Sequence, residues 1–327
     1  MKSSKTKTEY IILGVAIIAL LLYLVLRNPD RMNYQLPSLP SVVKADINRI
    51  DIAKAGETIR LEKKDSQWLI QPQGFSSDPA KTEAIVNAIF NLSMTALVSE
   101  SKNYFPYGLD KENEIVVKAY QNDRLLREFS VGNAASTYNH TYVKLANDPR
   151  VFHARNSFRS DFDRKIDDLR DKTVLKFDKN EIAAIEINSG AEKILFSKNV
   201  KPVAVKPNEE KQQDQAAPPK TEESWLMADG APGNLSELNS IIDQTSQLNC
   251  EQFIDGKTKD DFKEPTYTVL LKGLKDFTLA IFPKQEKATS YPAVSSESPY
   301  PFLLSAYKAE SIMKKPETLK NGQAAAQ

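Results

Sequence analysis

The stretch Ile50–Ile70, IDIAKAGETIRLEKKDSQWLI, decides the fold of this chain. Its apolar side chains alternate with polar ones in three short runs: Ile50 and Ile52, Ile59 and Leu61, and Trp68 and Ile70. A period of two is typical of strands that bury one face and expose the other. We therefore predict three short strands here, each with one buried face.

The same arrangement recurs in the second half of the chain. Its alternating pairs are Ile185 and Ile187, Ile194 and Phe196, and Trp225 and Met227. The spacing is longer in this copy because of an insertion, residues 197–223, which is rich in Pro, Lys, Glu and Gln and lacks any aromatic residue. That composition predicts a disordered segment within a hairpin.

An amphipathic helix is predicted to begin about ten residues after each tryptophan. Asp78 caps the first helix and Pro79 is its first residue, whereas Asn234 caps the second and Glu237 completes a capping box. The predicted buried stripes are Ile85, Val86, Ile89 and Phe90 in the first helix, and Leu235, Leu238, Ile241, Ile242, Thr245 and Leu248 in the second.

Paired strands are predicted to follow each helix. They are 115–120 with 125–131 and 138–145 with 150–154 in the first copy, and 267–272 with 277–282 and 291–294 with 301–304 in the second. Three strands, a helix and an antiparallel meander form an α+β unit. We therefore predict two tandem α+β units, residues 46–178 and 179–315, and a disordered tail at 316–327.

Residues 10–26, YIILGVAIIALLLYLVL, contain no charge and predict a transmembrane helix. Positive charge is heavier before this run than after it, so residues 1–9 are expected in the cytoplasm and the body outside it. A cleaved signal peptide and a buried helix are the alternatives. Residues 27–45 contain Pro29, Pro37 and Pro40, which favour an extended spacer. The expected partner of residues 10–26 is the lipid bilayer.

The overall composition excludes several functions. The chain has 327 residues and a net charge of +1, which gives no field that would attract nucleic acid. Its one cysteine, Cys250, cannot form an intramolecular disulfide, and we interpret it as a small apolar core residue.

The sequence lacks a phosphate-binding GxxxxGK[ST] loop, a GxSxG elbow, an HExxH pair, a CxxC pair and an EF-hand loop. We therefore predict a non-enzymatic protein without catalytic, cofactor-binding or metal-binding residues and without a bound nucleotide.

Two clusters nevertheless invite a functional interpretation. Tyr138, His140 and Tyr142 share one face of a strand, which indicates either a small binding face or an ordinary half-exposed strand. A second cluster, from Arg159 to Lys172, interleaves acids with bases. Its members are Asp161, Asp163, Asp167, Asp168 and Asp171, and Arg159, Arg164, Lys165, Arg170 and Lys172. This alternation predicts a salt-bridged surface segment rather than a metal site.

The order of several short motifs resembles the bacterial family called domain of unknown function 4340. The motifs are Trp68, Asp78-Pro79, Tyr107-Gly108-Leu109-Asp110, Phe129-x-Val131-Gly132, Tyr142-Val143 and Leu169-Arg170-Asp171-Lys172. The resemblance covers roughly residues 46 to 315. The family has no assigned catalytic residues, and the resemblance implies a single-pass protein of the bacterial inner membrane, often encoded beside ABC transporters linked to gliding motility.

Together these features predict a membrane-tethered extracytoplasmic module. We expect an auxiliary or scaffolding role in an ABC-type transport or gliding-motility-like envelope assembly, with other envelope proteins as partners. The alternatives are a module that binds a ligand or an envelope polymer in the cleft between the two repeats, and an envelope hydrolase with dispersed carboxylates.

Overall fold

The computed structural model describes residues 3–26, 34–136, 138–202 and 221–320. The chain divides into two compact units, which we call the first unit (Met1–Gln73 with Ala80–Arg164) and the second unit (Gly74–Pro79 with Lys165–Gln327). The expected division between residues 178 and 179 therefore lies earlier, after Arg164. The physical reason is that Val174 and Leu175 are buried in the core of the second unit.

The N-terminal helix, α1, extends over Ser3–Leu26. Among the described residues, no helix is both long and apolar enough to cross a membrane. The predicted transmembrane helix at residues 10–26 is therefore wrong. Seventeen apolar residues span about 26 Å, which is less than a ~30 Å hydrocarbon core. The rest of α1, residues 3–9, is polar in sequence.

The elements from Arg49 to Phe162 are mostly strands. They are β1 (Arg49–Lys54), β2 (Glu57–Lys64), β3 (Gln67–Gln71), β4 (Phe75–Ser76), α2 (Pro79–Phe90), β5 (Met94–Ser99), β6 (Ile115–Gln121), β7 (Arg124–Ala134), β8 (His140–Leu145), β9 (Asp148–Arg155) and α3 (Arg159–Phe162). The strands of the first unit form an antiparallel sheet in the order β3-β2-β1-β6-β7-β8-β9-β5. Strand β1 lies between β2 and β6, and its inward residues Ile50 and Ile52 are buried.

The elements of the second unit repeat this pattern. They are α4 (Ile166–Leu169), β10 (Thr173–Lys176), β11 (Ala184–Ser189), β12 (Glu192–Pro202), β13 (Thr221–Met227), α5 (Leu235–Thr245), β14 (Gln247–Asn249), β15 (Gln252–Phe253), β16 (Tyr267–Lys272), β17 (Phe277–Ile281), β18 (Ser290–Ser295), β19 (Phe302–Ser305), α6 (Ala306–Ile312) and α7 (Pro316–Leu319). The main sheet has the order β13-β12-β11-β16-β17-β18-β19-β15, and β10 pairs with β14 in a separate small sheet.

Both main sheets have the same strand order. The strands β1 to β3 correspond to β11 to β13, β6 to β9 correspond to β16 to β19, and β5 corresponds to β15. In each sheet the first strand pairs with the second strand and with the first strand of the later meander. The two units therefore share one antiparallel topology.

The fold class needs a correction. The predicted α+β class with a transmembrane helix is wrong, because the described chain is mostly antiparallel sheet. Outside α1, the longest helices among the described residues are α2, with 12 residues, and α5, with 11. Helices of three turns cover a small part of sheets of this size, so they are accessory to a β structure.

The two predicted helices differ from expectation only at their ends. In α2 the residues Ile85, Val86 and Ile89 are buried as predicted, but Phe90 ends the helix and is exposed. In α5 the Asn234 side chain accepts a hydrogen bond from the Glu237 backbone N–H at 3.3 Å, which confirms the predicted cap. Two residues of its predicted stripe lie elsewhere: Leu235 is exposed in the first turn, and Leu248 is buried in β14.

The insertion and the tail are partly ordered. Strands β12 and β13 pair as far as Pro202 and Thr221, so both ends of the predicted disordered segment 197–223 belong to a hairpin, and residues 203–220 lie outside the described residues. Burial of Trp225 fixes this hairpin. The expected disordered tail begins instead with α7, because Leu319 is buried and its carbonyl accepts a hydrogen bond from the Asn234 N–H. Residues 321–327 lie outside the described residues.

The spacer is attached to the first unit by a buried arginine. Residues 27–33 lie outside the described residues, and residues 34–43 have no regular structure. Arg127 of β7 donates to the carbonyl of Pro40 at 2.7 Å and to the carbonyl of Ile89, near the end of α2, at 2.5 Å. Burial lowers the pKa of Arg127. A cation is favourable beside the C-terminal carbonyls of a helix, so this guanidinium joins strand, helix and spacer.

We predict that Arg127→Met lowers the free energy of unfolding by about 1–3 kcal/mol, because buried carbonyls lose their donor. Urea denaturation of the full-length chain measures the change. The matched control is Arg124→Met, since Arg124 lies in the same strand and is exposed. Equal urea midpoints for the two variants would contradict the role assigned to Arg127.

Candidate functional site

Three of the short motifs of the first unit meet around one loop, Tyr104–Leu109. A Cβ atom on Gly132 of β7 would lie 2.3 Å from the carbonyl oxygen of Tyr107. Gly108 has a φ of +62°, and a Cβ there would lie 2.5 Å from the side-chain oxygen of Asn133. Close backbone approach explains Gly132, whereas a left-handed backbone conformation beside the Asn133 side chain explains Gly108. The loop is thereby held against β7.

Four rings form a continuous row beside this loop, and we call Tyr107, Tyr142, His153 and His140 the ring row. The ring centroids of Tyr107 and Tyr142 are 5.0 Å apart, in an edge-on arrangement. Tyr142 and His153 follow at 5.1 Å, and His153 and His140 stack at 5.3 Å. These separations are typical of favourable ring pairs. Both histidines of the chain therefore belong to one cluster.

Strand register produces the ring row. Tyr142 of β8 lies directly opposite His153 of β9, and His140 lies two residues along β8 from Tyr142. The intervening residues Thr141 and Val143 are buried in the core. The ring row is therefore on the face of the sheet that turns away from the core, and its side chains are half-buried.

The sequence placed two of these residues together but missed the others. His140 and Tyr142 share a face, as predicted from their period-two spacing. Tyr138 does not, because it precedes β8 in a turn with a φ of +57° and is 80% exposed. His153 joins through the pairing of β8 with β9, and Tyr107 joins through its loop. No spacing rule signals either contact, because both depend on tertiary pairing.

The electrostatics of the ring row centre on His153. Burial lowers the pKa of His153, and the neighbouring His140 lowers it further. Among the described residues, its buried Nε2 atom has no hydrogen-bond partner. The neutral imidazole is therefore favoured.

A polar border lies next to the ring row. The Lys144 ammonium lies 4.5 Å from the ring centroid of Tyr104 and 3.1 Å from a carboxylate oxygen of Glu114. The Tyr104 hydroxyl donates to the carbonyl of Pro149 at 3.0 Å. These contacts fix polar groups at the border of the aromatic cluster.

The charged segment from Arg159 to Lys172 is mostly salt-bridged, as its alternation predicts. Its ion pairs include Arg159 with Asp163 at 3.5 Å, Arg164 with Asp161 at 3.8 Å, and Lys172 with Asp167 at 2.6 Å. Burial raises the pKa of Asp161. Arg170 departs from the prediction, because it is buried rather than on the surface.

Neither a reactive thiol nor a metal cluster stands out in the described ranges. Cys250 is buried, and burial raises the pKa of its thiol to about 11, which disfavours the reactive thiolate. The described residues contain no group of three or more His, Cys, Asp or Glu side chains that could hold a metal ion.

We predict that the free energy of unfolding falls as pH drops below about 6.5, the ordinary pKa of histidine. The pKa of His153 is lowered in the folded state, so the unfolded chain binds this proton more strongly. Urea denaturation between about pH 5 and pH 7 measures the slope, above the range in which ordinary carboxylates titrate.

The variant His153→Gln should flatten this pH dependence. His140→Gln is the control and should retain part of the slope, because burial is the larger cause of the lowered pKa. A slope that His153→Gln leaves unchanged would show that another group is responsible.

A family model matches this chain. It is described as Domain of unknown function (DUF4340) and covers residues 68–268, more than half of the sequence. No curated protein and no solved structure matches. The matched range contains Trp68, the Tyr104–Leu109 loop, the ring row and Arg170. The chain belongs to the family described as Domain of unknown function (DUF4340).

Proposed function

We propose that this protein is a non-enzymatic interaction module of the bacterial cell envelope that binds another envelope protein through the ring row. Within the envelope, the module serves as an auxiliary or scaffolding component of an ABC-type transport or gliding-motility-like assembly. The observation that carries the proposal is the half-buried ring row on the solvent-facing side of the first sheet.

The composition of this surface supports protein binding. Tyrosine is enriched at protein interfaces, where its ring buries apolar area and its hydroxyl stays hydrogen-bonded. The chain segments next to the ring row add Phe105, which is 75% exposed, and Tyr138. Lys144 and Glu114 supply a polar border. Aromatic centres with polar borders are the usual arrangement of interface hot spots.

The proposed location is the extracytoplasmic side of the inner membrane, with lipid contact through residues 10–26. The described apolar side chains of α1 support such contact, because they are exposed and buried against no other element. Examples are Ile12, Val15 and Leu20. Exposed apolar surface of this extent is typical of a surface that contacts lipid or another protein.

Site-specific photo-cross-linking in living cells tests the proposed interface. A photoreactive phenylalanine analogue replaces Tyr138, beside the ring row, or Tyr307, which is equally exposed in the second unit. We expect position 138 to give a reproducible cross-link to an envelope protein and position 307 to give none. Cross-links from both positions, or from neither, would contradict the proposed interface.

A second substitution connects the cross-link to the ring row. Tyr142→Ala should reduce the yield from position 138 about tenfold, as expected for a hot-spot residue, whereas Tyr142→Phe should retain most of it. Mass spectrometry then identifies the linked protein. An identified partner outside the envelope would contradict the proposed cellular role.

A further inference from the structure

Arg170 is enclosed by aromatic rings inside the second unit. Its side chain is 2% exposed. The central guanidinium carbon lies 3.8 Å from the ring centroid of Phe75, 3.9 Å from that of Phe253 and 5.2 Å from that of Tyr300. A guanidinium stacks well on aromatic faces. The rings therefore fix the plane of this group and the direction of its N–H donors.

One of these donors has an acceptor and another does not. The Nη1 atom donates to a carboxylate oxygen of Asp255 at 2.9 Å. The Nη2 atom is buried and has no hydrogen-bond partner among the described residues. Buried donors in folded proteins are nearly always paired. Nη2 is thus a donor available to an acceptor atom of a ligand.

A cavity of about 130 Å³ adjoins this group, within the second unit. Its lining includes Phe75, Arg170, Asp171, Glu297 and Tyr300. The volume equals roughly four waters at about 30 Å³ each. A small pendant group fits such a space, whereas a complete sugar ring or a nucleotide does not. The cavity therefore suits a small projecting group of a larger molecule.

The charges of the lining select an uncharged occupant. Arg170 supplies one positive charge, whereas Asp171 and Glu297 supply two negative ones. Glu297 is paired with Lys275 at 2.8 Å, and Arg170 is paired with Asp255. A phosphate or a carboxylate would add negative charge beside these acids. An amide does not, because its carbonyl accepts from Nη2 and its N–H donates to a carboxylate.

We propose that this cavity binds the acetamido group of an N-acetylated amino sugar, within an envelope polysaccharide. The acetamido carbonyl accepts the free N–H of Arg170, its N–H faces Asp171 or Glu297, and its methyl group contacts the rings of Phe75 and Tyr300. A side-chain carboxamide of a protein would place a polar NH₂ group against these rings instead. The site uses no residue of the ring row, so this inference goes beyond the proposed function.

Isothermal titration of the full-length chain with an N-acetylglucosamine trimer tests the proposal. The matched probe is the glucose trimer, which carries a hydroxyl in place of each acetamido group. We expect the acetylated trimer to bind at least about tenfold more tightly than the glucose trimer, because a buried donor is left unpaired by the latter.

Two variants locate the binding. Ser76→Leu adds bulk at a residue of the lining without changing the guanidinium, and Arg170→Lys keeps the charge but removes the second planar donor. Each should weaken binding of the acetylated trimer about tenfold or more. The control Arg60→Lys changes an exposed arginine of the first unit and should leave binding unchanged. If Arg170→Lys fails to fold, judged by circular dichroism, Ser76→Leu decides the question.

Three results would overturn the proposal. Equal affinity for the acetylated trimer and the glucose trimer would show that the acetamido group is not recognised. Tighter binding of phosphate or acetate would identify an anion site. Tighter binding of glutamine amide would identify a protein side chain as the occupant. The cross-linking result at the ring row remains interpretable in every case, because that surface lies in the first unit.

Discussion

The fold of each unit depends on one long-range strand pairing. Strand β1 pairs with β6 in the first sheet, and β11 pairs with β16 in the second, and these pairings join the N-terminal hairpins to the later meanders. Register is fixed because Ile50 and Ile185 must face their cores, and a shift of one residue would expose both. Everything that the meanders carry, including the ring row, takes its position from this constraint.

Two buried arginines show how differently the fold accommodates a charge. Arg127 donates to the backbone carbonyls of Pro40 and Ile89 and thereby ties the spacer to the first unit. Arg170 is stacked between Phe75 and Phe253 instead, and one of its donors remains without a partner among the described residues. Burial of a cation is costly unless its donors are satisfied. Arg127 also keeps one buried donor, Nε, without a partner among the described residues, so the two arginines differ in what they contact: backbone carbonyls for Arg127, and a carboxylate and aromatic rings for Arg170.

The sequence predicted part of the candidate surface for a clear reason. Residues two apart in a strand share a face, so His140 and Tyr142 could be placed together from spacing alone. Tyr138 has the same spacing, but β8 begins only at His140. Tyr138 lies before the strand, in a turn with a positive φ. His153 and Tyr107 reach the ring row through strand pairing and loop packing. Contacts of that kind have no local sequence signal.

The sequence by itself determined the local structure of this protein. Period-two alternation marked the short strands, and the Asn234 cap marked the start of α5, because these features depend on nearest neighbours along the chain. The tertiary structure decided the proportion of helix to sheet, the position of the division between the units and the burial of Arg170. In sequence, Arg170 belongs to an alternating charged segment typical of a surface. It is buried because Phe75, Phe253 and Tyr300, which are distant in the sequence, meet around it when the second unit folds.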